Sequence, residues 1–141
     1  MRVVFDTNTV ISAQFWRGAP RQALDAIRAQ CATLIASETL LTELALVLAR
    51  SKFAQRLMDV GTTAETIMAE HRALIEIVEP VRLSARISDD PKDDMILACA
   101  LGGQADCIVS GDDDLLRLGS IEEIPIWTVN HFLEVIKCDE S

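Results

Sequence analysis

Two aspartates stand where apolar strands of this chain should end. Asp6 follows the run from Val3 to Phe5, and Asp112 follows Cys107 to Val109 through Ser110-Gly111. In open parallel sheets, ligands bind outside the carboxyl ends of the strands. A carboxylate buried there without a partner is costly. We therefore expect both aspartates on one rim of a sheet, where they can hold a ligand.

Two further acids belong to predicted helices that cover the same sheet. Asp94 lies in the first turns of the helix beginning at Asp90-Pro91, above an apolar stripe, and should point toward the sheet. Glu43 lies at the margin of the apolar stripe of the helix capped by Ser37. Carboxylates about 4 Å apart repel by ~4 kcal/mol near a protein surface, so four of them need cations. Oxygen ligands without histidine or cysteine favour Mg²⁺ or Mn²⁺ over zinc.

Each of these acids also has a purely structural interpretation. Asp112 can cap a helix, Asp93 and Asp94 can complement a helix dipole, and Glu43 can be a surface acid. The acidic runs in which the aspartates occur are typical of solvated loops. Asp6 at the end of a buried strand is the hardest of the set to explain without a ligand.

The elements that must position the acids alternate between strands and helices. Strands rich in valine and isoleucine, separated by helices, predict an α/β fold: a three-layer sandwich with a central parallel β-sheet flanked by helices. The predicted strands are Val3 to Phe5, Thr33 to Ala36, Ile75 to Val78, Cys107 to Val109 and Ile124 to Trp127. The predicted helices are Ala19 to Arg28, Ser37 to about Ala49, one after the Thr62 and Glu65 capping box, Asp90-Pro91 to Gly102-Gly103, Asp112 to Leu118, and Asn130 to Ile136.

Length and charge restrict the classes of protein. A chain of 141 residues that is 50% hydrophobic suits one domain over residues 1–141. The net charge of −9 argues against a protein that coats nucleic acid, so a nucleic-acid ligand would need local basic help. No apolar run is long enough for a membrane span and no secretion signal is present, so we expect a cytoplasmic protein without membrane contact.

Cysteine and histidine offer little alternative chemistry. The four cysteines form no Cys-x-x-Cys pair and have no histidine at zinc-ligand spacing, so we expect reduced thiols. His71 shares a helical face with Ile67, Met68 and Leu74, which predicts a packing role. His131 is assigned no role, so acid–base catalysis by a pair of histidines is not favoured.

Together these residues resemble the PIN domain, most of all its prokaryotic toxin-like branch, and are similar to the VapC ribonucleases. The resemblance rests on Asp6-Thr7-Asn8, on Glu43, on Asp94 in DDMILACA and on Asp112 in IVSGDDDLL. It extends from Val3 to about Val135. The spacing of the second half is specific, whereas Asp-Thr-Asn alone would be weak.

The resemblance implies a sheet with the first strand in the middle and cleavage of single-stranded RNA with Mg²⁺ or Mn²⁺. It implies that the metal-binding and catalytic carboxylates are Asp6, Glu43, Asp94 and Asp112. Asn8, Ser110 and Asp114 would support them, with serine at position 110 where threonine is common. Asp93 is interpreted as a first-turn helix acid.

Partners follow partly from the residues and partly from the resemblance. Two basic and aromatic stretches, Arg50 to Phe53 with Arg56 and Phe15 to Arg17 with Arg21, could pair phosphates and stack bases near the rim. A solvated helix end and a core aromatic pair remain the alternative. The resemblance admits a cognate antitoxin that blocks the site, and a homodimer is also kept open.

Three other assignments compete with a PIN nuclease. Asp-Thr-Asn-Thr-Val approximates the motif of haloacid-dehalogenase-like phosphatases, but Asn8 replaces their second acid. A response-regulator receiver domain would need a lysine after the last strand, where Thr128 to His131 offers none. A catalytically silent PIN-like module that binds RNA or protein is the third alternative.

Overall fold

A six-stranded sheet forms the centre of the computed structural model, which describes residues 1–83, 85, 87 and 90–136. The strand order is β3-β2-β1-β4-β6-β5, and all neighbours are parallel except the pair β5 and β6. The strands are β1 (Arg2–Phe5), β2 (Thr33–Ala36), β3 (Glu76–Ile77), β4 (Cys107–Val109), β5 (Ser120–Ile121) and β6 (Ile124–Trp127). The predicted α/β class and the internal position of the first strand are confirmed.

Eight helices flank this sheet in the described part of the chain. They are α1 (Thr7–Phe15), α2 (Ala19–Arg28), α3 (Glu38–Leu48), α4 (Ala54–Val60), α5 (Ala64–Leu74), α6 (Pro91–Gly102), α7 (Asp113–Leu118) and α8 (Val129–Val135), with a 3₁₀ turn at Ser51–Phe53. Thr63 and Thr128 cap α5 and α8, one residue after and two residues before the predicted capping positions. No helix in this part is both long and apolar enough to span a membrane.

Helix α1 was not expected, because its sequence suits a strand better than a helix. Thr7, Thr9, Val10 and Ile11 are β-branched, and such side chains lower helix propensity. The helix starts because the Asp6 carboxylate accepts a hydrogen bond from the Thr9 amide at 2.8 Å. The chain therefore turns from β1 directly into α1 at the rim.

The sheet has an apolar core on each face. Alternation along β1 sends Val3 and Phe5 to one face and Val4 to the other. Phe5 packs edge-on against Phe132 of α8 at a ring separation of 5.6 Å. On the opposite face Val4 belongs to the cluster that contains Leu97 of α6. Both faces are covered, as the three-layer prediction requires.

The β5–β6 hairpin was missed because its turn carries no usual turn residues. Glu122 and Glu123 occupy the turn with φ values of 46° and 70°. Two successive positive φ values usually select Asn-Gly or Asp-Gly in a two-residue hairpin. Gly119, with φ at 75°, bends the chain before β5.

Helix α6 ends in a close backbone contact that only glycine permits. A Cβ atom at Gly102 would lie 2.0 Å from the Glu79 carbonyl oxygen, inside van der Waals contact. In the same region the Val81 amide donates to the Ala98 carbonyl at 3.0 Å. The segment that follows β3 is thereby held against the end of α6.

The cysteines only partly match the expectation of reduced thiols. Cys99 and Cys107 are free and buried, and burial raises their thiol pKa values to about 11 and about 12. Cys31 is disulfide-bonded, so the expectation is wrong for that residue.

His71 on α5 is buried, as its helical face predicted, at 4% exposure. Its Nδ1 atom has no hydrogen-bond partner among the described residues. Burial, with a smaller contribution from the charge of Arg28, lowers the pKa of the imidazole from 6.5 to about 4. The protonated form is therefore disfavoured in the folded state.

We predict that His71 makes folding sensitive to acid. The unfolded chain takes up a proton near pH 6.5 and the folded chain only near pH 4, so stability is lost as the pH falls between these values. The His71→Leu variant should lose up to ~3 kcal/mol less than wild type between pH 7 and pH 4. Urea titrations at both pH values measure this difference, and exposed His131→Gln is the control; parallel losses in wild type and His71→Leu would contradict the prediction.

Candidate metal centre

The Asp6 carboxylate is held at the end of β1 by two donors. Oδ1 accepts from the Thr9 amide at 2.8 Å, and Oδ2 accepts from the Ser110 hydroxyl at 2.5 Å. The Ser110 oxygen in turn accepts from the Asp112 amide at 2.9 Å. Asp6 and Ser110 are only 5% and 0% exposed, so their geometry is fixed by packing. The chain places Asp6 and Asp112 on one rim, as the sequence predicted.

Three aspartates near this rim bring carboxylate oxygens together. Asp90, Asp93 and Asp112 each offer an oxygen, and these oxygens lie within 4.8 Å of one another. Asp90 caps α6 through the Lys92 amide, and Asp112 caps α7 through the Asp114 amide. Capping and a metal site are thus compatible interpretations of Asp112, because a carboxylate can accept a hydrogen bond and still offer its other oxygen.

The structure places Asp93, and not the predicted Asp94, in this group. Asp93 is 3% exposed, whereas Asp94 is half-buried and accepts a hydrogen bond from the Ile87 amide at 3.2 Å. The expectation that Asp94 points toward the sheet took the wrong phase of α6. The most buried stripe contains Ile96 and Ala100, three and seven residues after Asp93.

The sequence of α6 contains two possible apolar stripes, one following Asp93 and one following Asp94. Residues three, four and seven positions after Asp93 are Ile96, Leu97 and Ala100, which is as apolar a stripe as the one after Asp94. Pattern alone could not choose between the two phases. The choice depends on how α6 rotates against β1 and β2, which are tertiary contacts.

Glu43 lies in a pocket beside the aspartate group. The pocket has a volume of about 210 Å³ and is lined by Asp6, Glu43, Asp90 and Lys92 together with Asn8, Arg50 and several apolar residues. The Lys92 ammonium lies 3.1 Å from a Glu43 carboxylate oxygen. Glu43 reaches the rim as predicted, but in this structure a lysine of the chain neutralises it. No pattern in the sequence indicates this contact between Lys92 and Glu43.

The two remaining supporting candidates differ in position. Asn8 is exposed and lines both the carboxylate pocket and a second pocket that contains Asp112, so it lies between the two groups of acids. Asp114 has a side chain that is 58% exposed and pairs with Arg117 at 3.4 Å. Asp114 contributes its backbone amide to the Asp112 cap.

The donor set fits a hard divalent ion. Ligand oxygens around an octahedral Mg²⁺ lie about 3 to 4.2 Å apart, so oxygens within 4.8 Å of one another need only a small contraction. The grouped donors are all carboxylate oxygens, and the group contains no cysteine thiolate and no histidine imidazole. Such a donor set suits Mg²⁺ or Mn²⁺. Asp90, Asp93 and Asp112 could hold one ion, and Asp6 and Glu43 border the adjoining pocket.

The family model of the PIN domain matches residues 2–114. The chain belongs to the PIN-domain family. The matched range contains every carboxylate of the rim, from Asp6 to Asp114. This assignment replaces the phosphatase and receiver-domain alternatives.

A solved structure shows the same fold at low sequence identity. One chain of the crystal structure of VapBC2 from Rickettsia felis, bound to a DNA fragment from their promoter, aligns with a TM-score of 0.62 and 14% identity. The alignment covers 91% of this PIN domain and 98% of that chain. No curated protein matches the chain by sequence.

We predict that Asp93 and Asp94 differ in metal binding. Mn²⁺ at 100 times its Kd adds ~2.7 kcal/mol to the stability of a protein that binds it only when folded, a rise of about 5–10 °C in Tm. Asp93→Asn should lose most of this rise because it removes a charge from the aspartate group, and Asp94→Asn should keep it. Differential scanning calorimetry with and without Mn²⁺ compares the two variants, and the reverse pattern would return Asp94 to the site.

We also predict that Lys92 competes with metal for Glu43. Lys92→Gln removes the internal cation, so the metal-free protein should lose a few degrees in Tm while Mn²⁺ binds several-fold more tightly. Isothermal titration calorimetry measures the affinity. Arg72→Gln, which removes the partner of Glu38 elsewhere on the surface, is the matched control. Equal Mn²⁺ affinities in wild type and Lys92→Gln would show that the lysine does not compete.

Proposed function

We propose that this PIN domain is a Mg²⁺- or Mn²⁺-dependent endoribonuclease that cleaves single-stranded RNA. The carrying observation is the convergence of Asp90, Asp93 and Asp112 oxygens within 4.8 Å at the carboxyl-end rim of a parallel sheet. So many carboxylates repel one another unless cations are present. A phosphodiester is the substrate class that two bound divalent ions serve best.

Divalent ions bound at this rim would activate a water molecule and stabilise the leaving oxygen of the scissile phosphodiester. The residues proposed to hold them are Asp90, Asp93 and Asp112, together with Asp6 and Glu43 of the adjoining pocket. Ser110 keeps the Asp6 carboxylate in one orientation by donating to Oδ2. Asn8, exposed between the two pockets, is proposed to contact the substrate. Asp94, assigned earlier to the metal site, is not proposed for it.

The buried hydroxyl of Ser110 has a positioning role in this scheme. It accepts from the Asp112 amide while donating to Asp6, so one atom sets the relative position of two metal-binding candidates. Outer partners of this kind typically change metal affinity or activity by about 10–100-fold when removed. A threonine would supply the same hydroxyl, which agrees with the frequent occurrence of threonine at this position in the PIN-domain family.

We further propose that the protein is the toxin of a toxin–antitoxin pair and acts in the cytoplasm. The support is the fold shared with a chain of the VapBC2 complex from Rickettsia felis. An antitoxin segment would then cover the rim, and a homodimer stays a prediction from the sequence. A small reading frame beside this gene, whose product co-purifies with the protein and suppresses cleavage, would support the pairing. A lone gene whose product is not toxic on expression would contradict it.

We predict that purified protein cleaves single-stranded RNA with Mg²⁺ or Mn²⁺ and that EDTA abolishes the cleavage. Asp112→Asn should keep the α7 cap, because asparagine caps as well as aspartate, yet reduce cleavage at least ~100-fold. Gel analysis of a labelled RNA measures the rates. Asp25→Asn, an equal change at an exposed acid of α2, is the control.

Two results would overturn the nuclease assignment. Cleavage that persists in excess EDTA, and equally in Asp112→Asn, would come from a contaminant or from another mechanism. Mn²⁺ binding without any cleavage of RNA would favour the catalytically silent PIN-like module instead.

A further inference from the structure

Two segments of this acidic chain contain no acidic residue at all. Residues 7–24 and 44–58 hold none of the 22 aspartates and glutamates. They hold instead five of the 13 lysines and arginines: Arg17, Arg21, Arg50, Lys52 and Arg56. The net charge of −9 over the whole chain repels phosphate, so a nucleic-acid ligand needs local cations, and these segments supply them.

The fold brings the two segments together through aromatic contacts. Phe15 at the end of α1 stacks on Phe53 at a ring separation of 5.3 Å. The Arg56 guanidinium lies 5.5 Å from the Trp16 ring, and both its Nε and its Nη2 donate to the Phe15 carbonyl oxygen. We call the resulting surface of Trp16, Arg17, Arg50 and Lys52 the basic-aromatic surface.

The arginines of the two segments divide into structural and exposed groups. Arg21 donates to the carbonyl oxygens of Ala13 and Gln14, and Arg56 donates to that of Phe15, so both close the end of α1. Arg17, Arg50 and Lys52 are exposed. These three form no ion pair with the other described residues.

The basic-aromatic surface adjoins the metal centre. Arg50 lines the same pocket as Asp6 and Glu43. Helix α1 runs from the rim to Trp16, a distance of about 14 Å at 1.5 Å per residue. Trp16 is 48% exposed at the far end of this path. That distance accommodates roughly four stacked nucleotides at 3.4 Å each.

We propose that the basic-aromatic surface binds single-stranded RNA and leads it to the metal centre. Arg50, Lys52 and Arg17 pair with phosphates, and the Trp16 indole stacks on a base. This proposal rests on the proposed nuclease function, since it names the surface that holds the substrate of that site. The exposed tryptophan favours RNA over an acidic peptide as the ligand. RNA bases can stack on the indole ring, whereas the carboxylates of an acidic peptide would use only the cations of the surface.

The test measures binding of a fluorescein-labelled single-stranded RNA of about ten nucleotides in EDTA, where cleavage does not interfere. Trp16→Ala should weaken binding about tenfold, and Trp16→Phe should retain most of it, because a smaller ring still stacks. Lys52→Gln should reduce the slope of log Kd against log salt by about 0.7, the contribution of one phosphate contact on a single strand. Arg82→Gln, which removes a charge at a separate pocket with Leu101 and Ile121, is the control for net charge.

Three outcomes would overturn the inference. Full-strength binding by Trp16→Ala would remove the stacking contact. Equal losses in Lys52→Gln and Arg82→Gln would reduce the effect to overall charge. Polyglutamate that competes as well as RNA would make an acidic protein the ligand of this surface.

The same measurement separates this inference from the nuclease assignment. Binding that depends on Trp16 and Lys52 in a protein that never cleaves RNA would support the surface and contradict the nuclease. Cleavage by a protein whose RNA binding does not depend on Trp16 or Lys52 would support the nuclease and contradict the surface.

Discussion

The burial of one carboxylate at the end of the central strand organises this structure. Asp6 is almost fully buried and therefore needs hydrogen bonds on both oxygens. One oxygen starts α1 through the Thr9 amide, and the other fixes Ser110 after β4. Its own amide donates to the Val109 carbonyl at 3.1 Å, which joins the ends of β1 and β4. Strand, helix and neighbouring strand meet at this residue.

Electrostatics on the two sides of the rim are opposite in sign. Carboxylates gather at the ends of β1 and β4 and at the start of α6, while the acid-free segments present cations beside them. Lys92 places one cation on the acidic side itself, since it belongs to the acidic α6 start and pairs with Glu43. The polyanionic substrate proposed above would need both signs, because its phosphates would pair with the cations while the carboxylates would hold the divalent ions. An acidic protein can thus be compatible with a polyanionic substrate.

The sequence predicted the parts of this fold that depend on local pattern. The buried strands from Thr33 and from Cys107 begin and end at the predicted residues, because valine and isoleucine runs between turn signals identify strands. Helix α1 could not be predicted from local pattern, because its β-branched residues favour a strand. Its stability comes from the Asp6 cap and from packing. The rim position of Asp6 and Asp112 followed from topology alone. The deeper burial of Asp93 than of Asp94 did not, because the rotation of α6 depends on contacts with the sheet and the pattern offers two equally apolar phases.

A substitution at Gly102 would disturb the carboxylate group from the opposite end of α6. It lies at the last residue of α6, whereas Asp93 lies in the first turn of that helix. Any side chain at position 102 would collide with the Glu79 carbonyl, and the helix would have to slide or tilt to relieve the collision. A rigid helix transmits such a shift along its whole length. A side chain added at position 102 would therefore be expected to displace the Asp93 carboxylate, which lies about 13 Å away along the helix axis.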